Sequence, residues 1–296
     1  MRRRTYISLM LVMLASMVFA QKSHVTKALK YYQAGKLDTA KSFIDSASVH
    51  PETVSDPLTW YYRGFIYKEI YNKHEKSDKE SPSRVSAIQS FHKFLEMDTV
   101  GKLKESTLKS IQYLSTTIYN DAATSLNVRE YQLAVSNFEN YKKYMRFVDP
   151  TKDFTDLDIQ FHLVLGQVYT QVYEKDRKAN QAFFNKIKDV YYYVIELDSN
   201  NLSANYNLGI LYYNEAVNII KQLDYETDLI TLELIQDECV GLFKQSLPYM
   251  HKAYELNPKR RETLIGLSGI YFSLNELEKS DEIQLQLEQI EKEEQR

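Results

Sequence analysis

The sequence predicts an all-α protein built from repeated helix–turn–helix pairs, and three observations point there. Its 296 residues include only 8 Gly and 6 Pro, so turns are few and elements long. No run of alternating apolar and polar residues bounded by turn signals reads as a strand. An eight-residue pattern with Gly and Tyr three residues apart occurs at Trp60–Tyr67, His162–Tyr169 and Asn205–Tyr212.

Each pattern reads as the leading helix of a pair, and a following helix comes after it. Ala87, Phe91 and Phe94 share one helical face ahead of Glu96-Met-Asp98. Ile187, Tyr191 and Val194 do the same ahead of Glu196-Leu-Asp198. The third set, Ser246, Met250 and Ala253, precedes Glu255-Leu-Asn-Pro258. Small residues at Ser246 and Ala253 permit close helix approach while Met250 fills the space between them. Pro258 withholds an amide donor and forces Asn257 out of the helical region, so it stops the helix.

Three weaker units flank these. Ala28 and Tyr31 lead through a Gly35 turn to Ala40, Ile44 and Ala47. Ala122, where the others have Gly, is followed by Ala134, Phe138 and Tyr141. Leu264, Leu267 and Tyr271 form an i, i+3, i+7 stripe and lead through Asn275 to Ser280 and Leu287. The expected units span residues 22–52, 57–99, 115–149, 159–199, 202–258 and 261–291.

These motifs resemble the tetratricopeptide repeat, a helix–turn–helix unit of about 34 residues. The signature residues are Leu208-Gly209 with Tyr212, Leu165-Gly166 with Tyr169, and Trp60, Gly64 and Tyr67 on leading helices. On following helices they are the triads at the family's Ala, aromatic and Ala positions and the variants of its acidic-Leu-Asp-Pro ending. The resemblance implies an α-solenoid of about six irregular repeats forming a right-handed superhelix. Extra residues at 72–84, 173–183 and 221–243 make it irregular. The first insert is charged and ends Ser81-Pro-Ser83, which predicts an exposed loop. The third keeps apolar periodicity, which predicts lengthened helices around a turn at 224–227, with Pro248 bending the second.

The N-terminus reads as a secretory signal peptide over residues 1–20. Arg2-Arg3-Arg4 is its positive region, Tyr6 to Phe19 its apolar region, and Val18-Phe-Ala20 places cleavage between Ala20 and Gln21. Cleavage would remove three Arg and leave 34 basic against 40 acidic residues, a formal charge of −6. That balance excludes nucleic acid and anionic membrane surfaces as partners of first choice. No later segment is apolar enough to span a bilayer, so the expected location is periplasmic or secreted.

Cys239 is the only cysteine and lies among Val240, Leu242 and Phe243, which reads as a buried, inert thiol. His92 and Glu96 have metal-ligand spacing, but a lone pair is read as a solvated helix face. No phosphate loop, nucleophile elbow or metalloprotease motif occurs, so neither an enzyme nor a cofactor is expected.

In tetratricopeptide arrays the leading helices line a concave groove. Carried over unit by unit, the resemblance nominates Tyr61, Phe65 and Lys68, then Tyr119, Leu126 and Asn127, then Gln167 and Gln171, then Tyr206, Tyr213 and Asn214. Asn207 matches a position that clamps a peptide carboxylate in some family members. Leu163, Gln167 and Ile265 stand where the clamp's basic partners would be, which argues against that activity. Tyr31, Tyr67, Tyr169, Tyr212 and Tyr271 occupy packing positions, and the groove tyrosines are equally suited to binding or packing. The function expected is a non-catalytic envelope scaffold that binds a protein or peptide. The alternative is a glycan or small-ligand module whose groove tyrosines stack on sugar rings. A third reading is self-association through a terminal unit.

Overall fold

The computed structural model describes residues 24–224 and 226–294. The signal peptide and its cleavage site lie outside them. Among the described residues there are twelve α-helices and no strand. They are α1 (24–33), α2 (Leu37–Val49), α3 (Pro57–Ile70), α4 (Pro82–Met97), α5 (Lys104–Thr124) and α6 (Tyr131–Val148). Then follow α7 (Thr155–Lys175), α8 (Ala182–Leu197), α9 (Leu202–Lys221), α10 (Leu229–Leu256), α11 (Arg261–Ser273) and α12 (Leu277–Glu294).

The helices fall into two compact units. Of the described residues, one comprises 24–125 with 129–153, the other 126–128 with 154–224 and 226–294. Within the first, α3 packs on α4 and α5 on α6, while α2 meets α3 and α4 meets α5. Within the second, α7 pairs with α8, α9 with α10 and α11 with α12, and α8 meets α9 as α10 meets α11. Each unit is therefore a stack of helix pairs in which every element contacts its sequence neighbours.

The repeated glycines explain the pairing. A Cβ at Gly64 would lie 2.5 Å from the Phe91 ring, one at Gly166 2.6 Å from Tyr191 Cζ, and one at Gly209 2.6 Å from Met250 Cγ. Phe91, Tyr191 and Met250 hold the same place, the large middle position of a following helix. Each is buried, and burying such a side chain contributes about 1.5–3 kcal/mol. Gly266 meets the other end of Met250, so one thioether serves two leading helices. Ser246 and Ala253 flank it with no exposed surface, and Ser246 Oγ donates to the Gly209 carbonyl at 2.6 Å.

The acidic-Leu-Asp endings are a turn device. Asp98, Asp149, Asp198 and Asn257 each leave the helical conformation directly after a following helix, and each backbone N–H bonds back to the carbonyl four residues earlier. The side chain then accepts from the amide two residues on: Val100, Thr151, Asn200 or Lys259. His50 does the same for the first pair, its Nδ1 accepting from the Glu52 amide at 3.3 Å. The short polar side chain thus replaces the helical hydrogen bonds that end there. Inside the first and last pairs the turn needs a left-handed residue, supplied by Gly35 at φ 71° and Asn275 at φ 60°.

The charged segment 72–84 exposes Lys73, His74, Lys76, Ser77, Asp78 and Glu80, as expected of it, but its end is buried. Tyr71–Glu75 continues α3 as a π-helical turn, and Ser81, Ser83 and Arg84 are buried. The Glu75 carboxylate accepts from both serine hydroxyls at 2.6 Å and from the Ser83 amide. Burial alone would raise the Glu75 pKa, but these donors outweigh it and hold the carboxyl below its ordinary range. Arg84 pairs with Asp121 on α5 at 2.5 Å and donates to the Lys79 carbonyl at 2.7 Å. The polar composition serves a buried network joining α4 to α5, and only the loop's outer residues face solvent. In the third insert α9 and α10 are lengthened around a turn, as expected, and Pro248 lies inside α10.

Candidate partner-binding groove

The nominated residues of the first unit sit in seams between consecutive leading helices. The Tyr61 ring packs on Phe65 and Phe94 at 4.8 and 5.1 Å, and its hydroxyl is 3.4 Å from Ser106 Oγ on α5. Phe65 meets Phe91 edge-on at 5.0 Å. Lys68 Nζ donates to Ser110 Oγ and lies over the Tyr113 ring, and burial lowers its pKa. Tyr61 and Phe65 also border a small apolar cavity of about 250 Å³ between α1 and α3. Tyr119 packs on Phe138 and Tyr141. Because α5 ends at Thr124, Leu126 and Asn127 lie in the connecting turn rather than on the leading helix where the repeat pattern put them.

The second unit holds a smaller, more enclosed cavity. Between α7 and α9 runs a cavity of about 160 Å³ bordered by Gln167, Thr170, Glu174 and Arg177 on one side and Asn207, Ile210 and Asn214 on the other. Its floor is Tyr191 of α8. The helical spacing puts Gln167, Thr170 and Glu174 in one row, and Asn207, Ile210 and Asn214 in another. Gly166 lets the Tyr191 ring slide beneath α7, so the floor exists because a leading-helix position lacks a side chain.

The polar groups of this groove divide in two. Tyr191 shares its hydroxyl with the side chains of Thr170 and Asn207, and burial pushes its pKa up to about 12. At the other end Arg177 binds Glu174 through two nitrogens and Glu215 at 3.1 Å. Tyr173 donates to the same Glu215 oxygen at 2.7 Å, and burial together with that carboxylate raises its pKa. The charges are thus mutually satisfied. What remains exposed are the amides of Gln167 and Asn214, with Gln171 one turn further along α7. Such a surface can hydrogen-bond a peptide backbone, and it carries no nucleophile–base pair.

Tyr206 and Tyr213 do not face this cavity. The Arg260 guanidinium covers the Tyr206 ring at 3.8 Å. Tyr213 packs on Phe243 at 5.7 Å, with its hydroxyl against Gly269 on α11. They are seam residues, so the sugar-stacking geometry of the glycan reading is absent for this pair. Arg177 and Glu215 escaped sequence reasoning because Arg177 lies in an insert beyond α7, where the repeat pattern assigns no position. Tyr191 was read only as a packing residue. Its Gly166 partner was the signal that placed it beneath the groove.

The remaining candidates are packing groups. Cys239 is buried with its thiol 3.6 Å from the Ala216 carbonyl, and burial, with Glu238 beside it, raises its pKa. His92 lies 3.5 Å from Glu96 and stacks its ring on Phe147 at 3.6 Å. Among the described residues no group of three or more His, Cys, Asp or Glu could hold a metal ion. No helix among them is long and apolar enough to cross a membrane.

No family model and no curated protein matches this chain. Solved structures with partial similarity include a tetratricopeptide-repeat protein from Bacteroides fragilis NCTC 9343, at 14% identity and TM-score 0.42, covering 84% of this chain and 97% of that one. Another is the MamA protein, at 14% identity and TM-score 0.30, covering 78% and 92%. A third is YrrB, described as a tetratricopeptide-repeat protein with an unusual peptide-binding site, at 15% identity and TM-score 0.25, covering 82% and 89%.

Proposed function

We propose that this chain is an exported, non-catalytic scaffold of the cell envelope that holds an extended peptide segment of a protein partner in the groove between α7 and α9. The observation that carries it is the arrangement of unengaged amides, Gln167 and Asn214, on facing helices above the fixed Tyr191 floor. An extended backbone offers alternating N–H and C=O groups, and an amide side chain can serve either. The floor's own hydroxyl is already bonded, so it orients without competing for the ligand. Binding would rest on many modest contacts to a preformed surface. Export rests on Arg2-Arg3-Arg4, the apolar run and Ala20.

Affinity capture from the native envelope tests both parts. The captured chain should begin at Gln21, and the partner should be lost from the Gln167→Ala/Asn214→Ala double variant while helix content stays unchanged. An N-terminus retaining Arg2 would refute export, and undiminished capture by the double variant would refute the groove.

A further inference from the structure

The Arg177 end of the α7–α9 groove is closed. Just past α7 the chain is pinned in a turn: Asp176 Oδ1 accepts from the Ala179 amide at 2.9 Å, and Asn180 Nδ2 donates to the Val172 carbonyl at 2.8 Å. That turn holds Arg177 across the gap between the two helices, where its Nη1 donates to the Asn214 carbonyl at 3.3 Å. An extended chain lying between α7 and α9 therefore meets a barrier there. Four of the five guanidinium N–H groups are already spent, two on Glu174 and one each on Glu215 and Asn214.

The hydrogen bonds of this cluster close, but its charges do not cancel. Glu174 and Glu215 bring two negative charges against the single positive charge of Arg177. Glu174 and Arg177 are the two charged residues bordering the cavity, and Glu215 backs Arg177 at 3.1 Å. Lys175, Asp176 and Lys178 of the same stretch do not border it. The Glu174 side chain is 43% exposed, and each of its oxygens has taken one bond from Arg177 and can take another. This end of the groove thus offers acceptors and an excess negative charge, with its donors almost used up.

We infer that this end receives the free amino terminus of the bound peptide, its ammonium on the Glu174 carboxylate. The inference rests on the peptide reading of the groove and gives the ligand a polarity. The first residue lies against Arg177, and the chain leads away from it towards Gln167 and Asn207. A carboxyl terminus placed there would bring a third carboxylate against two, with one N–H group left to bind it. A lysine side chain carries the same ammonium, but the backbone bearing it continues in both directions and gains nothing from the barrier. Capture of a terminal amine by clustered acceptors is an established way to recognise a peptide end.

The test passes a random hexapeptide library over the immobilised full chain in two forms, one with free amino termini and one acetylated. Retained peptides are read by mass spectrometry. Free termini should be retained about tenfold or more over acetylated ones, the size of one charge-assisted hydrogen bond. That preference should hold below about pH 7 and fall above about pH 8, where an α-amino group loses its proton, whereas a lysine would keep its charge to about pH 10. The groups facing the position are carboxylates, a guanidinium and phenols, which ordinarily titrate outside this window. Glu174→Gln should abolish the preference with helix content unchanged, and Gln167→Ala/Asn214→Ala should weaken retention of both libraries. Equal retention of both libraries, lost in that double variant, would overturn this inference and leave the groove standing. Acetylated peptides retained for their lysines would make a side chain the occupant and overturn it as well. Retention of neither library would overturn both the inference and the groove.

Discussion

Replacing Gly166 by Ala pushes a methyl group into the Tyr191 ring, at a distance that ordinary side chains do not adopt. The core then distorts or the ring leaves the floor of the groove, at a cost of about 1–3 kcal/mol. Combining it with Tyr191→Leu should recover part of the loss, giving a coupling of about 1 kcal/mol in a double-mutant cycle of denaturant midpoints. Strictly additive effects would mean the two residues do not share that space. The same scale sets the alkaline limit of stability. Burial pushes Tyr191 up to about 12, and burial with the Asp45 carboxylate does so for Tyr67. The unfolded chain releases these protons near pH 10, while the folded chain keeps them. Stability is therefore full below about pH 10 and falls as pH rises towards 12, because the unfolded state binds fewer protons there. Chemical unfolding at stepped pH, with tyrosinate absorbance as the titration readout, checks the sign. A stability that rises over that window contradicts it.

At the scale of the element, the polar residue ending each following helix is the part that keeps one pair separate from the next. Asp198 accepts from the Asn200 amide, as its backbone N–H bonds to the Val194 carbonyl. Asp198→Ala should cost about 1 kcal/mol, the usual range for a lost local cap, and lower the melting temperature without changing helix content. Asp198→Asn should be nearly silent, since Asn257 already fills the equivalent place. These elements were readable in advance because their causes are local. Gly64, Gly166 and Gly209 announce close approach three or four residues from an aromatic, and Asp or Asn announces the stop. Most charges of segment 72–84 face solvent as expected, but the burial of Arg84 at its end was not legible. Only the fold brings Arg84 to Asp121, 37 positions away in sequence.

For the whole molecule, the sequence carried the architecture further than the site. Repetition exposes packing positions, since each copy repeats the same small–large contact, and Gln167 and Asn214 do border the α7–α9 groove. It assigned Tyr206 and Tyr213 to an open face because the repeat pattern counts positions along one helix. It does not register that Arg260 and Gly269 of the next pair lie over them. The Arg177–Glu215 pair at the groove's end arises from an insert, which no periodic rule can place. Hydrogen–deuterium exchange of the chain with and without its captured partner tests the binding surface most directly. Slowed exchange confined to α7 and α9, weakened by Gln167→Ala/Asn214→Ala, is the predicted result. Protection elsewhere with α7 and α9 unchanged would contradict it.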